Sequence, residues 1–138
     1  MFEFHGWITI RVDDGDDAAL AIIREREQHA LAFINDAIRD HGDNFSLFET
    51  RRTSNELIVL LAHGLRNHPH APVIDLFRVI GERLPDSYGL LYVHDDDSST
   101  NNNEFRVWRL ALGRLEERDD PFLSPYIPTV ERPWVEGI

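Results

Sequence analysis

Four groups of residues in this sequence carry side chains equipped for chemistry. His63, His68 and His70 fall within eight positions of one another in AHGLRNHPHAP, and imidazoles that close could hold zinc. Their spacing matches no familiar zinc pattern, and Pro69 restricts the loop, so solvent-facing histidines are the plainer reading. Asp95-Asp96-Asp97-Ser98-Ser99-Thr100 imitates the first half of a calcium loop. Thr100 stands where the sharp-turn glycine belongs, and Arg106 where the bidentate glutamate belongs, so calcium is not expected. A third group is aromatic: Trp7, Tyr92 and Trp108 lie in alternating runs, and an aromatic sheet face can stack on nucleobases. The fourth is His5 and His94 with nearby carboxylates, which could move protons. The serines lack a nucleophile-elbow context, and neither a glycine-rich phosphate loop nor a pair of carboxylates in an evident pocket can be read. The expectation is therefore no enzyme, no cofactor and no metal.

What these side chains can do is recognise. The chain of 138 residues has 25 acidic and 14 basic residues, a net charge of −11, and every basic residue is Arg. Phosphate contacts need clustered cations, so nucleic acid is not an expected partner. A basic partner is, because opposite charge steers association. Solubility alone would also account for an acidic surface. The length predicts one domain, residues 1–138, large enough to bury most of its apolar surface. There is no cysteine, hence no disulfide and no thiolate site. MFEFHGW lacks the basic start and apolar core of a signal peptide, and no apolar run nears the ~20 residues that span a bilayer. A cytoplasmic protein without membrane contact is expected, a monomer or weak homodimer.

The chain is organised around Ser87–Leu112. Two apolar runs, Tyr88–Val93 and Phe105–Leu112, flank a block of Asp, Ser, Thr and Asn, which predicts a β-hairpin with a long loop. Asp95, Asp96 and Asp97 open the loop and Glu104 closes it. This acidic end suits a positively charged surface. The predicted contact set is Asp95, Asp96, Asp97, Glu104 and Arg106, with Trp7, Tyr92 and Trp108 as aromatic anchors.

The positioning elements follow from periodicity. Phe4, Ile8, Ile10 and Val12 alternate with His5, Trp7, Thr9 and Arg11, a half-buried strand. Asp13–Asp17 end it and cap a helix from about Ala18 to Asp40, striped by Leu20, Ile23, Leu31, Ile34 and Ile38 and stopped by Gly42. Phe45–Arg51 and Leu57–His63 read as strands, and Gly64–His70 as a loop. Pro72 opens a second helix, striped by Val73, Leu76, Phe77, Ile80 and Leu84. After the hairpin, Gly113 turns the chain into a short segment, Leu115–Arg118. The proline-rich residues 121–138 are predicted to form an extended strap, with Phe122, Tyr126, Ile127, Val130 and Trp134 packing on the domain. The fold class is α+β: a mostly antiparallel sheet with two main helices on one face, in the ferredoxin-like β-α-β-β-α-β order plus extra strands. The other face would carry His5, Trp7, Arg11, Tyr92, His94 and Trp108.

FHGW (Phe4–Trp7), SYGLLYVHDDD (Ser87–Asp97), NEFRVWRLALGRL (Asn103–Leu115) and DPFLSPYIPTVE (Asp120–Glu131) resemble, in that order, the seventh immunity-protein family of bacterial polymorphic toxin systems. The resemblance implies a small cytoplasmic antidote that neutralises a cognate toxin by direct binding. It supplies no catalytic residue. The toxin's activity stays open; a basic nuclease is the natural match for an acidic chain, with transferase or peptidase toxins as alternatives. The competing readings are an RNA- or small-ligand-binding ferredoxin-like sheet domain and a small enzyme.

Overall fold

In β1 (Phe2–Ile10) the even-numbered side chains are buried and most odd-numbered ones are not, as expected of a strand covered on one face only. The covered face meets α1 (Leu20–His41) and α2 (Ala71–Arg83). The computed structural model describes residues 1–12, 19–69 and 71–137. Within them the chain continues through β2 (Leu47–Arg52), β3 (Ile58–Arg66), β4 (Tyr88–Asp95), β5 (Arg106–Ala111), β6 (Arg114–Asp119) and a four-residue turn, α3 (Tyr126–Thr129). The strands form one sheet in the order β2-β3-β1-β4-β5-β6, antiparallel at every step. β1 is therefore central, fixed on both sides.

Both helices feed one core. Val73, Leu76, Phe77 and Ile80 of α2 are fully buried against Phe4, Ile8, Leu60 and Leu91 of the sheet. These are the α2 stripe residues that periodicity predicts. The α1 helix contributes Ala30, Ile34 and Ala37, all from its C-terminal half. Its predicted stripe fails at the start, where Leu20 is 61% exposed. The buried residues of α1 begin only at Ala30, so among the described residues the core underlies its C-terminal half. The capping role read for Asp13–Asp17 falls outside the described residues. Gly42 ends α1 as expected, with its N–H on the Ile38 carbonyl at 2.7 Å.

Three other boundaries differ from the sequence expectation. Phe45 stands in the loop, 95% exposed, and β2 starts two residues later. β3 runs on through Gly64, Leu65 and Arg66, which local composition marks as a loop. Gly64 is not a break: a Cβ there would lie 2.5 Å from the Phe4 ring, so the glycine admits that ring to the core. The short segment after Gly113 is a full edge strand. Leu112 and Gly113 both take positive φ, 52° and 75°, the backbone of a tight two-residue hairpin. Gly113 adopts this freely; Leu112 does so at some cost in strain.

The strap expectation is corrected in part. Trp134 is 83% and Phe122 76% exposed, and Ile127 and Val130 are also exposed. Tyr126 alone of the five predicted anchors is substantially covered. Trp108 also changes place. Alternation predicts it beside Tyr92 on the open face, but the ladder pairs Trp108 with Leu91, and it packs against the core on the helix side.

Candidate partner-binding surface

The face of the sheet opposite the helices divides into a covered and an uncovered half. The segment after β6 covers the β4–β5 end. Asp120 organises it: its carboxylate accepts the N–H groups of Phe122 and Leu123 at 3.0 and 2.9 Å and the Ser124 hydroxyl at 2.9 Å. The Tyr92 hydroxyl donates to the same carboxylate. Ser124 Oγ in turn accepts the Phe105 N–H at 2.9 Å. Tyr126 stacks on His94, ring centroids 3.9 Å apart and planes 14° apart. Asn103 binds the backbone of Ile127 through both ends of its amide, at 2.9 and 3.2 Å. Tyr92, predicted as an anchor for a partner, is thus committed within the chain.

Asp120 is 6% exposed. Burial alone would raise its pKa, but the N–H groups of Phe122 and Leu123, the Ser124 hydroxyl and Tyr92 hold it below the usual carboxylate range. A depressed pKa means stability present above the unfolded value, near pH 4, and lost as pH falls through the folded one. Asp120→Ala is expected to cost about 2 kcal/mol at pH 7, because it strands several donors. Thermal melts should show that gap at pH 7 and a smaller one at pH 3; equal melting at pH 7 would rule out an anchoring role.

The uncovered half centres on Trp7, which is 40% exposed. Its ring meets Tyr88 edge-on, centroids 6.0 Å apart, and its cross-strand neighbours are Leu61 and Leu90, both half-buried. The result is an apolar patch on rigid strands, with an aromatic centre of the kind that anchors interfaces. Beside it on β1, His5 faces His63 of β3, with Nδ1 atoms 3.0 Å apart, and His5 Nε2 meets Glu3 Oε2 at 2.6 Å. Burial, and then the neighbouring His5, hold His63 below the usual histidine pKa.

The acidic loop joins β4 to β5. Asp95 Oδ1 accepts the Asp97 N–H at 3.0 Å, the turn that opens the loop. They stay within 4.8 Å of one another and are the one group of three potential metal ligands that close among the described residues. The Met1 ammonium contacts Asp96 and Asp97. Glu104 lies 3.4 Å from Arg106, which also pairs with Glu117 and Asp119. The hydrogen bonds it donates to Glu117 and Asp119 raise its pKa. Arg106 is thus held by the edge strand β6. The structure brings Asp95, Asp96 and Asp97 together, sets Glu104 at the other end of the same loop beside Arg106, and places Trp7 elsewhere on the open face. It takes Trp108 to the other side of the sheet. His63 and His68 do not converge: His68 is exposed in the turn after β3, and His70 lies outside the described residues. The His5–His63 pair has no signal in local sequence, because only the β1–β3 register creates it.

The domain is thus a two-helix antiparallel α+β fold whose open sheet face is half covered, with Trp7 exposed on the other half and an acidic loop at one hairpin end. The model of the immunity protein 7 family matches residues 1–132, and the chain belongs to that family. It is accordingly an immunity protein directed against a toxin. No curated protein and no solved structure showed significant similarity to the chain. No described helix is long and apolar enough to cross a membrane.

Proposed function

We propose that this immunity protein neutralises a basic, nuclease-type toxin in the cytoplasm by binding it directly, as a non-catalytic inhibitor. One observation carries the reading: an exposed Trp7 patch on central strands, on the same domain as an acidic loop, in a chain of net charge −11. The patch and the loop are roughly 17 Å apart, five residues along a strand, within the span of a standard interface. Desolvation of the patch supplies affinity, and the acidic end supplies speed. The rigid sheet keeps ordering costs low. The scaffold reads as a ferredoxin-like unit with β5 and β6 added at one edge; the antiparallel order β2-β3-β1-β4 supports this. An RNA-binding sheet fits less well. Arg51, Arg109 and Arg118 on the open side pair with Glu49 or Glu116, which leaves little free positive charge for phosphate.

The direct test is inhibition of the cognate toxin by purified components. Loss of its activity at one molar equivalent is the expected result, and absence of binding would refute the proposal. Steering is tested separately. Replacing Asp95, Asp96 and Asp97 by Asn should slow association roughly tenfold at low salt, flatten its salt dependence and leave dissociation nearly unchanged. Melting should hardly move, since solvated loop charges contribute little to stability. Unchanged kinetics with a normal melt would remove the loop from the encounter surface.

A further inference from the structure

His5 and His63 are 58 positions apart in the sequence and directly opposite in the β1–β3 ladder. Their Nδ1 atoms are 3.0 Å apart. Two nitrogens that bind one Zn²⁺ or Cu²⁺ at about 2.0–2.1 Å stand roughly 2.9 Å apart at a right angle and roughly 3.4 Å apart at the tetrahedral angle. The observed separation falls inside that interval. We propose that His5 and His63 form an open two-histidine site for a divalent transition metal, tightest for Cu²⁺.

Three features make this pair different from two histidines that happen to be close. First, the backbone beneath them is set. β1 is bonded to β3 on one side and β4 on the other, so both ligands rise from fixed central strands. Second, Glu3 Oε2 lies 2.6 Å from His5 Nε2. A carboxylate there keeps the proton on Nε2 and leaves the Nδ1 lone pair for a metal, the usual second partner of a ligating imidazole. Third, the metal-free pair shares one proton between its Nδ1 atoms. The ion takes that proton's place between the rings, the proton moves to the outer Nε2 of His63 as that imidazole changes tautomer, and small side-chain rotations turn facing lone pairs into converging ones, so two neutral imidazoles bind without net proton release.

The site is open. His5 is 47% exposed, and no third His, Cys, Asp or Glu among the described residues closes on both nitrogens. Water completes the coordination, which marks an exchangeable site and not a structural zinc. Two imidazoles with oxygen donors suit Cu²⁺ above Ni²⁺ and Zn²⁺ in the normal affinity order.

The test uses the full chain, purified without a polyhistidine tag and stripped with chelator. Calorimetric titration with Cu²⁺ should give one ion per chain. His5→Ala and His63→Ala should each weaken binding more than tenfold, and Glu3→Gln by roughly tenfold. His68→Ala should leave binding unchanged. A second measurement needs no variant: substoichiometric Cu²⁺ should broaden the ring resonances of His5 and His63 before those of the other histidines. Absence of stoichiometric binding, binding that survives both alanine variants, or broadening centred on His68 or on Asp95–Asp97 would overturn the proposal.

Discussion

Gly89→Ala is expected to destabilise this protein more than any other loss or gain of one methyl group in the sheet, by about 3 kcal/mol or more. Gly89 lies opposite Ile8 in the β1–β4 ladder. A Cβ on it would fall 1.9 Å from the Trp7 carbonyl oxygen and 2.9 Å from Ile8 Cα. Both are backbone atoms of the central strand, which β3 holds from the other side, so neither can move without breaking a ladder. Gly6→Ala provides the comparison. Its nearest neighbours are the ends of the Phe77 and Leu91 side chains, at 2.7 and 2.8 Å, which can yield by rotation. A smaller loss is expected there. Against a typical domain stability of about 5–15 kcal/mol, 3 kcal/mol is a large fraction, and it should lower Tm by roughly 10 °C. Thermal and urea melts of both variants measure it. A Gly89→Ala melt within 2 °C of the parent would mean that the close approach of β1 and β4 is not tight.

The same region shows how much of the fold was legible in the sequence. α2 could be read almost residue by residue, because a 3.6-residue stripe is a local signal and its face meets the core along its length. β1 and the β4–β5 hairpin were legible for a similar reason, from alternation and turn chemistry. What failed was long-range. The glycine in AHGLR looked like a strand end, and only the Phe4 ring packed over it explains why the strand continues. Trp108 looked like a companion of Tyr92, because alternation cannot be carried across a long loop. A slip of one residue sends every side chain to the other face, and the register here sends Trp108 to the core. The prolines of the C-terminal segment correctly excluded a long helix or central strand. They could not say that Asp120 and Tyr126 dock while Trp134 does not. That outcome depends on Tyr92 and His94 waiting on a neighbouring strand.

The candidate site followed the same rule. The acidic loop is local and was found directly. The His5–His63 pair was hidden because histidines were grouped by sequence distance, whereas the sheet groups them by register. In the sequence His63 stands with His68 and His70; in the sheet its partner is on β1. The covered and uncovered halves of the open face were equally hidden. They are defined by where the chain after β6 comes to rest.

The division of that face makes the three tryptophans a sharp test of direct binding. Trp7→Ala is expected to weaken toxin binding by about 2–4 kcal/mol, roughly 30- to 1000-fold in Kd, mostly through faster dissociation. The reason is position. Trp7 is exposed enough to be reached, yet flanked by Leu61, Leu90 and Tyr88, so a partner that covers it excludes water from a whole patch. The fold should lose only about 1 kcal/mol, chiefly the edge-on contact with Tyr88. Trp108→Ala should behave in the opposite way, because that ring packs on the helix side of the sheet. It should lower stability more than Trp7→Ala does and leave the binding of folded protein nearly unchanged. Trp134→Ala, at a residue 83% exposed, should leave stability alone. Binding kinetics with the toxin, beside a thermal melt of each variant, separate the three cases. If Trp7→Ala bound with unchanged dissociation while Trp134→Ala released the toxin faster, the contact would lie on the C-terminal segment and not on the open sheet.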